Sequence, residues 1–277
     1  MPLVRFSYGG RTGDGALIDG NVHLLGAWRA ADDGRFPASR MAPDELETLI
    51  EQSSETFPLD AVRLECPVDE RNIIICAGVN YRAHVDEAGH EPPAEPSLFL
   101  RHPRSLVGPS DPLVAPSASE AFDYEGELAV VIGKAGRHIR VEDAMDHVLG
   151  YTCFMDGSVR DYQFHSVTAG KNFWRSGAMG PAIATRVEIL GSQSLETKLD
   201  GQTVQSTTLD RMIFDVPALI AYCSRWMELM PGDVISTGTP EGVGYFRKPQ
   251  LFLMPGARLE VIVEGVGHLV NEVVSEA

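Results

Sequence analysis

The sequence is poor in cysteine and in long apolar runs, and each shortage excludes a class of protein. Its four cysteines are far apart in 277 residues and form no CxxC pair. This spacing indicates neither a disulfide framework nor a thiolate metal site, and free buried thiols fit a reducing cytoplasm. No apolar run has the length that a membrane-spanning helix needs.

Positive charge is also scarce. Lys and Arg number 23 against 39 Asp and Glu, which gives a formal net charge of −16. A nucleic-acid-binding surface needs clustered Lys and Arg. No such cluster is visible, so we expect neither nucleic acid nor membrane as a partner. The first 15 residues lack the layout of a signal peptide, which predicts a cytoplasmic location. An anionic ligand would need a local positive site, such as a bound cation.

Helical patterns are few and scattered. Apolar spacing predicts helices over 43–55 and 216–230, the second capped by Asp215. Shorter helices are expected after Asn80, which could cap one, and from near Ser158.

Most of the remaining chain has strand character. Strands are predicted at 71–79, 126–133, 148–155, 181–190 and 194–208. Because the helices do not alternate regularly with these strands, the pattern predicts a β-rich α+β fold, a mixed sheet or roll with peripheral helices. A soft boundary predicts a small N-terminal domain over 1–65 and a main domain over 70–277.

Three acids alternate in the stretch FDYEGELAVVIG, residues 122–133. In a strand, Asp123, Glu125 and Glu127 would share one face at the entrance to an apolar core. A divalent cation would relieve their repulsion, and oxygen ligands suit Mg²⁺, Mn²⁺ or Ca²⁺. Asp156 follows another apolar strand and could complete a three-carboxylate site. The alternatives are a solvated strand end for the three acids and a helix N-terminal acid for Asp156.

Other polar residues could carry chemistry. His84 and Glu87 are three apart and would share a helix face, where a carboxylate makes imidazole a better base. The alternative is an ordinary surface pair. Lys171 lies between Gly and Asn, close to an aromatic residue, and could meet an anion. Arg160 and Gln163 could line one helix face, and Thr239, in a Gly-rich turn, could hold a carboxylate.

Six ordered motifs resemble the fumarylacetoacetate hydrolase family over about three quarters of the chain. They are GVNYRAHVDEAG, PSLFLRHPRSLVGP, DYEGELAVVIG, GYTCFMDGSVRDYQ, GKNF…GP and PGDVISTGTPEGVG. The resemblance implies a β-rich roll and a homodimer. It also implies Mg²⁺ or Mn²⁺, with Ca²⁺ possible in crystals. The sequence departs from the family pattern at Arg101, where Lys is usual, and at Trp174, where Asp is common; both departures bear on substrate shape.

The resemblance also implies a role for each candidate residue. The metal ligands would be Glu125, Glu127 and Asp156, with Asp123 behind them. The catalytic residues would be His84, Glu87 and Lys171. The substrate contacts would be Gln163, Thr239, Arg160 and Tyr81.

The expected activity is hydrolysis of a carbon–carbon bond in a 2,4-dioxo acid, an acylpyruvate or fumarylacetoacetate-like compound. Water activated by His84 and Glu87 would attack the carbonyl, and the metal would stabilise the pyruvate enolate. Decarboxylation of a 2-oxo acid and isomerisation of a 2-hydroxyhepta-2,4-diene-1,7-dioate-type diacid use the same enolate and stay open as alternatives. A third alternative is a non-catalytic binder of metal and dicarboxylate.

Overall fold

A computed structural model describes residues 2–31, 33–185, 187–189 and 191–277. Its helices are short and few. They are α1 (Pro43–Glu51), α2 (Arg82–Ala88), α3 (Arg160–Gln163), α4 (Val167–Lys171) and α5 (Val216–Trp226).

Strands dominate the described chain. They are β1 (Pro2–Tyr8), β2 (Arg11–Ile18), β3 (Asn21–Ala30), β4 (Thr56–Pro58), β5 (Arg63–Glu65), β6 (Ile74–Ala77), β7 (Leu98–Arg101), β8 (Leu106–Val107), β9 (Leu113–Ala115), β10 (Phe122–Asp123), β11 (Gly126–Ile132), β12 (Val148–Met155), β13 (Ser158–Val159), β14 (Gly177–Thr185), β15 (Ser194–Leu199), β16 (Gln202–Thr208), β17 (Val234–Ser236), β18 (Arg258–Val263) and β19 (Gly267–Ser275). The predicted β-rich α+β class is confirmed.

Two mixed sheets form the body of the protein. One runs in the order β4-β3-β2-β1-β14-β12-β11-β17-β6-β7, and the other in the order β16-β15-β18-β19-β9. Strand β11 is buried along its whole length. Leu128 and Val130 on one face of β11 pack in a core that also contains Val261 and Leu269 of the second sheet. Gly126 faces Thr197 of β15, and a Cβ at Gly126 would clash with the Thr197 hydroxyl.

The opposite face of β11 carries the glutamates. Glu127 shares its parity with Ala129 and Val131, which belong to a separate core cluster with Ile74 and Cys76 of β6. The acids therefore lie on the face turned away from the second sheet, beside the parallel pair β17–β6.

The N-terminal strands continue the larger sheet. Strand β1 pairs antiparallel with β14, where Leu3 is opposite Ile183. A small apolar cluster of Val4, Phe6, Val22, Leu24 and Ala182 lies beside this junction. The division of the chain into domains at residues 65–70 stays a prediction.

Several element predictions were wrong in extent. Helix α5 ends at Trp226 because the next residue is extended, with φ −138° at Met227. The predicted apolar stripe therefore ends early, and Trp226 and Met230 are exposed. The strand predicted over 194–208 is a hairpin, because Asp200 and Gly201 turn the chain with positive φ.

Three other predicted boundaries differ from the structure, whereas one predicted helix cap is confirmed. Helix α1 ends at Glu51, before the predicted 55. Ser158 lies in strand β13, and helix α3 begins two residues later. The strand predicted over 181–190 is β14, which ends at Thr185; residues 186 and 190 lie outside the described residues. The predicted cap is confirmed, since Asp215 accepts a hydrogen bond from the Ala218 N–H at 2.9 Å.

The capping prediction for Asn80 was also wrong. Helix α2 follows Tyr81, and no side chain caps its N-terminus. The Asn80 amide instead donates to the carbonyls of Phe214 and Thr237, at 2.9 and 2.7 Å. It thereby ties the loop before α2 to two distant segments. The helix ends at Gly89, which adopts a left-handed conformation with φ 68°.

Candidate metal centre

Three carboxylates meet where strand β11 begins beside the end of strand β12. The register pairs Gly126 with Met155. Glu125 and Glu127 are the neighbours of Gly126, and Asp156 is the neighbour of Met155, so the three acids lie at the same end of the strand pair. The Asp156 N–H donates to the Glu125 carbonyl at 2.9 Å, which closes this end of the ladder. One oxygen from each of Glu125, Glu127 and Asp156 lies within 4.8 Å of the others, and all three residues are buried. The predicted ligand set is therefore brought together by strand pairing.

Glu127 is the acid of the cluster whose charge is least compensated. Burial, followed by the neighbouring charges of Asp156 and Glu125, raises the pKa of Glu127 well above its ordinary value. Its Oε2 accepts hydrogen bonds from the Ser236 hydroxyl and from the Gly238 N–H. Within the described ranges, no hydrogen bond is made to its Oε1. This oxygen is available to a cation.

Glu125 is held between two cations. Lys171 Nζ lies 2.5 Å from its Oε2, and Arg160 Nη2 lies 2.7 Å from its Oε1. Burial alone would raise the pKa of Glu125, but the Lys171 and Arg160 charges lower it to about 2. Glu125 is consequently anionic at neutral pH.

Asp156 is also held by two cations. Lys171 Nζ lies 2.6 Å from its Oδ2, and Arg101 Nη1 donates to its Oδ1 at 2.6 Å. Lys171 reaches this position from the end of α4. Gly170 makes that possible, since a Cβ there would lie 2.7 Å from the Gln163 Cα.

Asp123 lies behind the cluster. The strand predicted to carry all three alternating acids is interrupted, and Asp123 belongs to the separate pair β10–β13. Its carboxylate accepts from Arg160 Nε at 2.8 Å and from the Gly244 and Tyr245 N–H groups at 2.7 and 2.9 Å. Asp123 thus contacts Arg160, which also holds Glu125, and its predicted place outside the ligand set stays a prediction.

The donor chemistry and the charge balance fit a hard divalent cation. Oxygen-only carboxylate ligands suit Mg²⁺, Mn²⁺ and Ca²⁺. Among the described residues around the cluster, the buried acids outnumber the buried cations. The acids are Asp123, Glu125, Glu127 and Asp156, and the cations are Arg101, Arg160 and Lys171. A divalent ion would reverse this imbalance and give Glu127 the positive partner that it lacks.

His84 and Glu87 form the predicted pair on helix α2. His84 Nδ1 lies 3.0 Å from Glu87 Oε2. The Gly242 N–H donates to Glu87 Oε1 at 3.0 Å and so fixes the carboxylate. His84 is buried, whereas the surface-pair alternative would leave it exposed.

A cavity of about 600 Å³ joins His84 to the carboxylates. Its polar lining includes most of the predicted site residues, namely His84, Glu125, Glu127, Asp156, Arg160, Gln163, Lys171 and Thr239. Its apolar lining includes Leu98, Phe99, Phe164, Val167 and Phe246. An imidazole held by Glu87 and a carboxylate cluster fit for a cation thus share one cavity, which is a suitable site for proton transfer beside a stabilised anion.

The predicted substrate contacts differ in what they can offer. Gln163 accepts from Arg160 Nη1 at 3.1 Å through its Oε1, which leaves its amide N–H groups for a ligand. Thr239 already donates its hydroxyl to the Gly126 carbonyl at 3.0 Å and accepts from Gln205 at 2.8 Å. Thr239 is therefore better suited to anchoring its loop on β11 than to donating to a ligand.

Two residues lie away from this cavity. Tyr81 lines a neighbouring polar cavity of about 570 Å³, beside Arg82 and Arg211, and burial raises its pKa. The geometry does not support its predicted substrate contact. Trp174, expected to affect substrate shape, is 60% exposed and stacks on Arg175.

Arg101, Ser236 and Gly238 contact the cluster without having been predicted to do so. Arg101 was noted only as a departure that would alter the substrate pocket, yet it is 2% exposed and bonds to Asp156. The available signal for Ser236 and Gly238 was the sequence ISTG, in which a strand runs into a Gly-rich turn. No local pattern links Arg101 to Asp156, because the two residues are 55 positions apart.

The fold and the buried carboxylate cluster define a β-rich protein fit for a divalent cation, and comparison with known proteins gives its family. Residues 73–274 match the fumarylacetoacetate (FAA) hydrolase C-terminal family. The chain belongs to this family, whose members are enzymes, and the predicted resemblance is confirmed.

Relatives within the family have different named activities. The chain is 40% identical over 224 residues to the mitochondrial oxaloacetate tautomerase FAHD2A of Homo sapiens, covering 79% of this chain and 71% of that protein. A 5-carboxymethyl-2-hydroxymuconate delta-isomerase structure from Mycobacterium smegmatis aligns over 100% of both chains with TM-score 0.83 and 29% identity. A maleylpyruvate hydrolase structure from Sphingobium aligns over 100% of both chains with TM-score 0.78 and 30% identity. Family membership alone therefore leaves the reaction open.

Proposed function

We propose that this protein is a divalent-metal-dependent enzyme that interconverts the keto and enol forms of a small 2-oxo acid of the oxaloacetate class. The observation that carries the proposal is that His84, which Glu87 holds by a hydrogen bond, lines the same cavity as the three-carboxylate cluster. The name of the human relative, an oxaloacetate tautomerase at 40% identity, favours tautomerisation over the hydrolysis expected from the sequence.

The metal, Mg²⁺ or Mn²⁺, would be held by carboxylate oxygens of Glu125, Glu127 and Asp156. When bound, a divalent cation supplies positive charge that stabilises negative charge developing on the 2-oxo oxygen. Arg160 and Gln163 line the cavity together and offer donors to a substrate carboxylate. These contacts would fix the orientation of carbon 3.

Proton transfer is the part of the reaction assigned to His84. With Nδ1 donating to Glu87, Nε2 carries the lone pair and can act as a base. It takes a proton from carbon 3 of the keto acid and leaves the enolate. Delivery of a proton to the enolate oxygen then gives the enol. Glu87 stabilises the imidazolium between the two transfers.

Hydrolysis of a carbon–carbon bond in a 2,4-dioxo acid is the second candidate. The cavity of about 600 Å³ favours it, because that volume has room for a substrate longer than a four-carbon acid. In this reaction His84 would take its proton from water, and the Gln163 amide would stabilise the oxyanion. Lys171, predicted for the same role, already donates its three N–H groups to Glu125 and Asp156. Decarboxylation and diacid isomerisation need the same enolate without the water attack.

Isotope labels separate these reactions in one experiment. The Mn²⁺-loaded protein is incubated with oxaloacetate and with an acylpyruvate, once in D₂O and once in H₂¹⁸O, beside protein-free samples. Tautomerisation predicts enzyme-dependent deuterium at carbon 3 of intact oxaloacetate. Hydrolysis predicts ¹⁸O in the carboxylate of a product acid. Decarboxylation predicts release of CO₂ and a product acid whose carboxylate carries no ¹⁸O from water.

The comparison variant is His84→Gln. Exchange as fast in this variant as in the parent would refute the assigned base. A parent that binds Mn²⁺ but accelerates none of these reactions would instead favour the non-catalytic binder.

The partner and location predictions are carried forward as part of this proposal. A homodimer and a small 2-oxo acid partner stay predictions. No helix among the described residues is long and apolar enough to cross a membrane. The human relative is named as mitochondrial, and the cytoplasmic location expected for this chain is likewise still a prediction.

A further inference from the structure

Each of the three guanidinium nitrogens of Arg101 donates at least one hydrogen bond. Its Nε donates to the Ser105 hydroxyl at 3.0 Å, and its Nη2 donates to the Ser176 hydroxyl at 2.7 Å. Its Nη1 donates to Asp156 Oδ1 at 2.6 Å and to the Gly157 carbonyl at 3.0 Å. The side chain is fully excluded from solvent. Arg101 therefore joins strand β7, the end of β12 and the start of β14 at one point.

The two oxygens of Asp156 are divided between two cations on different sides. Lys171 binds Oδ2, and both Lys171 and Asp156 line the cavity. Arg101 binds Oδ1 but does not line the cavity. Arg101 consequently holds the carboxylate from the protein interior, while Lys171 binds it on the cavity side.

The surroundings of Arg101 are shaped for a guanidinium. Gly177 packs directly against it, and a Cβ at Gly177 would overlap Arg101 Nη2. Ser105, which accepts from Arg101, donates its own hydroxyl to the His102 carbonyl at 2.7 Å, so its acceptor lone pairs face the arginine. Such a set of partners fixes both the position and the rotation of the guanidinium plane.

We propose that Arg101 is a positioning residue that fixes the Asp156 carboxylate for the divalent cation. The inference rests on the metal-dependent function proposed above, but it concerns metal affinity rather than turnover. Lysine would not replace arginine here, because one ammonium at the end of a flexible chain cannot span the Ser105, Asp156 and Ser176 acceptors with fixed geometry. Loss of such an outer contact typically weakens metal binding about 10- to 100-fold.

The test is a Mn²⁺ titration of the full chain, in which free Mn²⁺ is measured by electron paramagnetic resonance. Arg101→Lys keeps the charge and should raise the Mn²⁺ dissociation constant about 10-fold or more. Arg29→Lys is the matched control, since Arg29 on β3 is also a largely buried arginine, ion-paired with Asp14. The control should bind Mn²⁺ as the parent does, even where its melting temperature falls.

A second variant covers the case in which Arg101→Lys does not fold. The double variant Ser105→Ala, Ser176→Ala keeps the arginine and removes two of its orienting acceptors. It should weaken Mn²⁺ binding in the same direction. Folded Arg101→Lys, or the folded double variant in its place, with a dissociation constant equal to that of the parent would overturn the inference.

The outcomes also separate this inference from the proposed function. A parent that binds Mn²⁺, loses affinity on Arg101→Lys and turns over no 2-oxo acid would refute the function and support the positioning role. A parent that binds no divalent cation would overturn both.

Discussion

Replacing Lys171 with methionine should destabilise the metal-free protein strongly. The Lys171 ammonium contacts Glu125 Oε2 at 2.5 Å and Asp156 Oδ2 at 2.6 Å, and it donates to the Asp156 carbonyl at 3.2 Å. All three residues are buried. Lys171→Met keeps the length of the side chain but leaves two buried carboxylates without this cation.

The expected loss in the free energy of unfolding follows from the burial of these ion pairs. Removing one partner of a buried pair typically costs about 3 to 5 kcal/mol, because the other charge stays buried. For a chain of 277 residues, this corresponds to a fall in melting temperature of about 5 to 9 °C. The assay is thermal and urea unfolding in the presence of a chelator. Lys198→Met is the control, since Lys198 lies 3.5 Å from Glu196 in a partly exposed pair and should contribute at most about 1 kcal/mol.

Mn²⁺ adds a second readout to the same comparison. The ion and the Lys171 ammonium both neutralise Glu125 and Asp156, so saturating Mn²⁺ should stabilise Lys171→Met more than it stabilises the parent. A metal-free variant within about 1 kcal/mol of the parent would refute the ion-pair reasoning. Equal stabilisation of both proteins by Mn²⁺ would show that the lysine and the metal do not share carboxylates.

Three further changes test other parts of the account. Burial opposes ionisation of Asp69, but hydrogen bonds from Arg71 and from the Phe36 N–H lower its pKa from 3.8 to about 2. Because the folded pKa is depressed, the resulting stability is present above pH 3.8 and is lost as the pH falls through about 2. Asp69→Asn should therefore cost about 2 kcal/mol in urea unfolding at pH 7 and almost nothing at pH 2, and an equal cost at both pH values would contradict this. Asp123→Asn should weaken Mn²⁺ binding less than Glu127→Gln does in the same titration, because Asp123 contacts Arg160 and lies outside the three-carboxylate cluster; a larger loss would make Asp123 a ligand. Trp174→Ala should change the Michaelis constant for a 2-oxo acid by less than about two-fold, because the ring is 60% exposed; a larger change would mean that Trp174 closes over the substrate.

Much of the candidate site could be predicted because it depends on local periodicity. Alternation along the extended chain that enters β11 places Glu125 and Glu127 close together, and the i,i+3 spacing on a helix brings His84 to Glu87. The position of Asp156 could be predicted for a similar reason, because the apolar strand before it was expected to lie in the sheet. The antiparallel register then supplied the contact that the sequence only suggested.

The remaining features depend on contacts between distant segments, which no local pattern encodes. Arg101 reaches Asp156 across 55 positions, and Asn80 reaches Thr237 across 157. The strand of alternating acids was predicted as continuous, but it breaks before Glu125 because Asp123 is bound by the backbone of the 244–245 turn. The element ends were wrong for a similar reason, since tertiary contacts outweigh local propensity there.

The central claim is that 2-oxo acid chemistry depends on a cation held by Glu125, Glu127 and Asp156. Its most direct test is the rate of deuterium exchange at carbon 3 of oxaloacetate, measured while metal-depleted protein is titrated with Mn²⁺. The account predicts that the enzyme-dependent rate rises in proportion to bound Mn²⁺, saturates at one ion per chain and is absent in Glu127→Gln. Exchange that is equally fast in the chelated parent, or in Glu127→Gln, would contradict it.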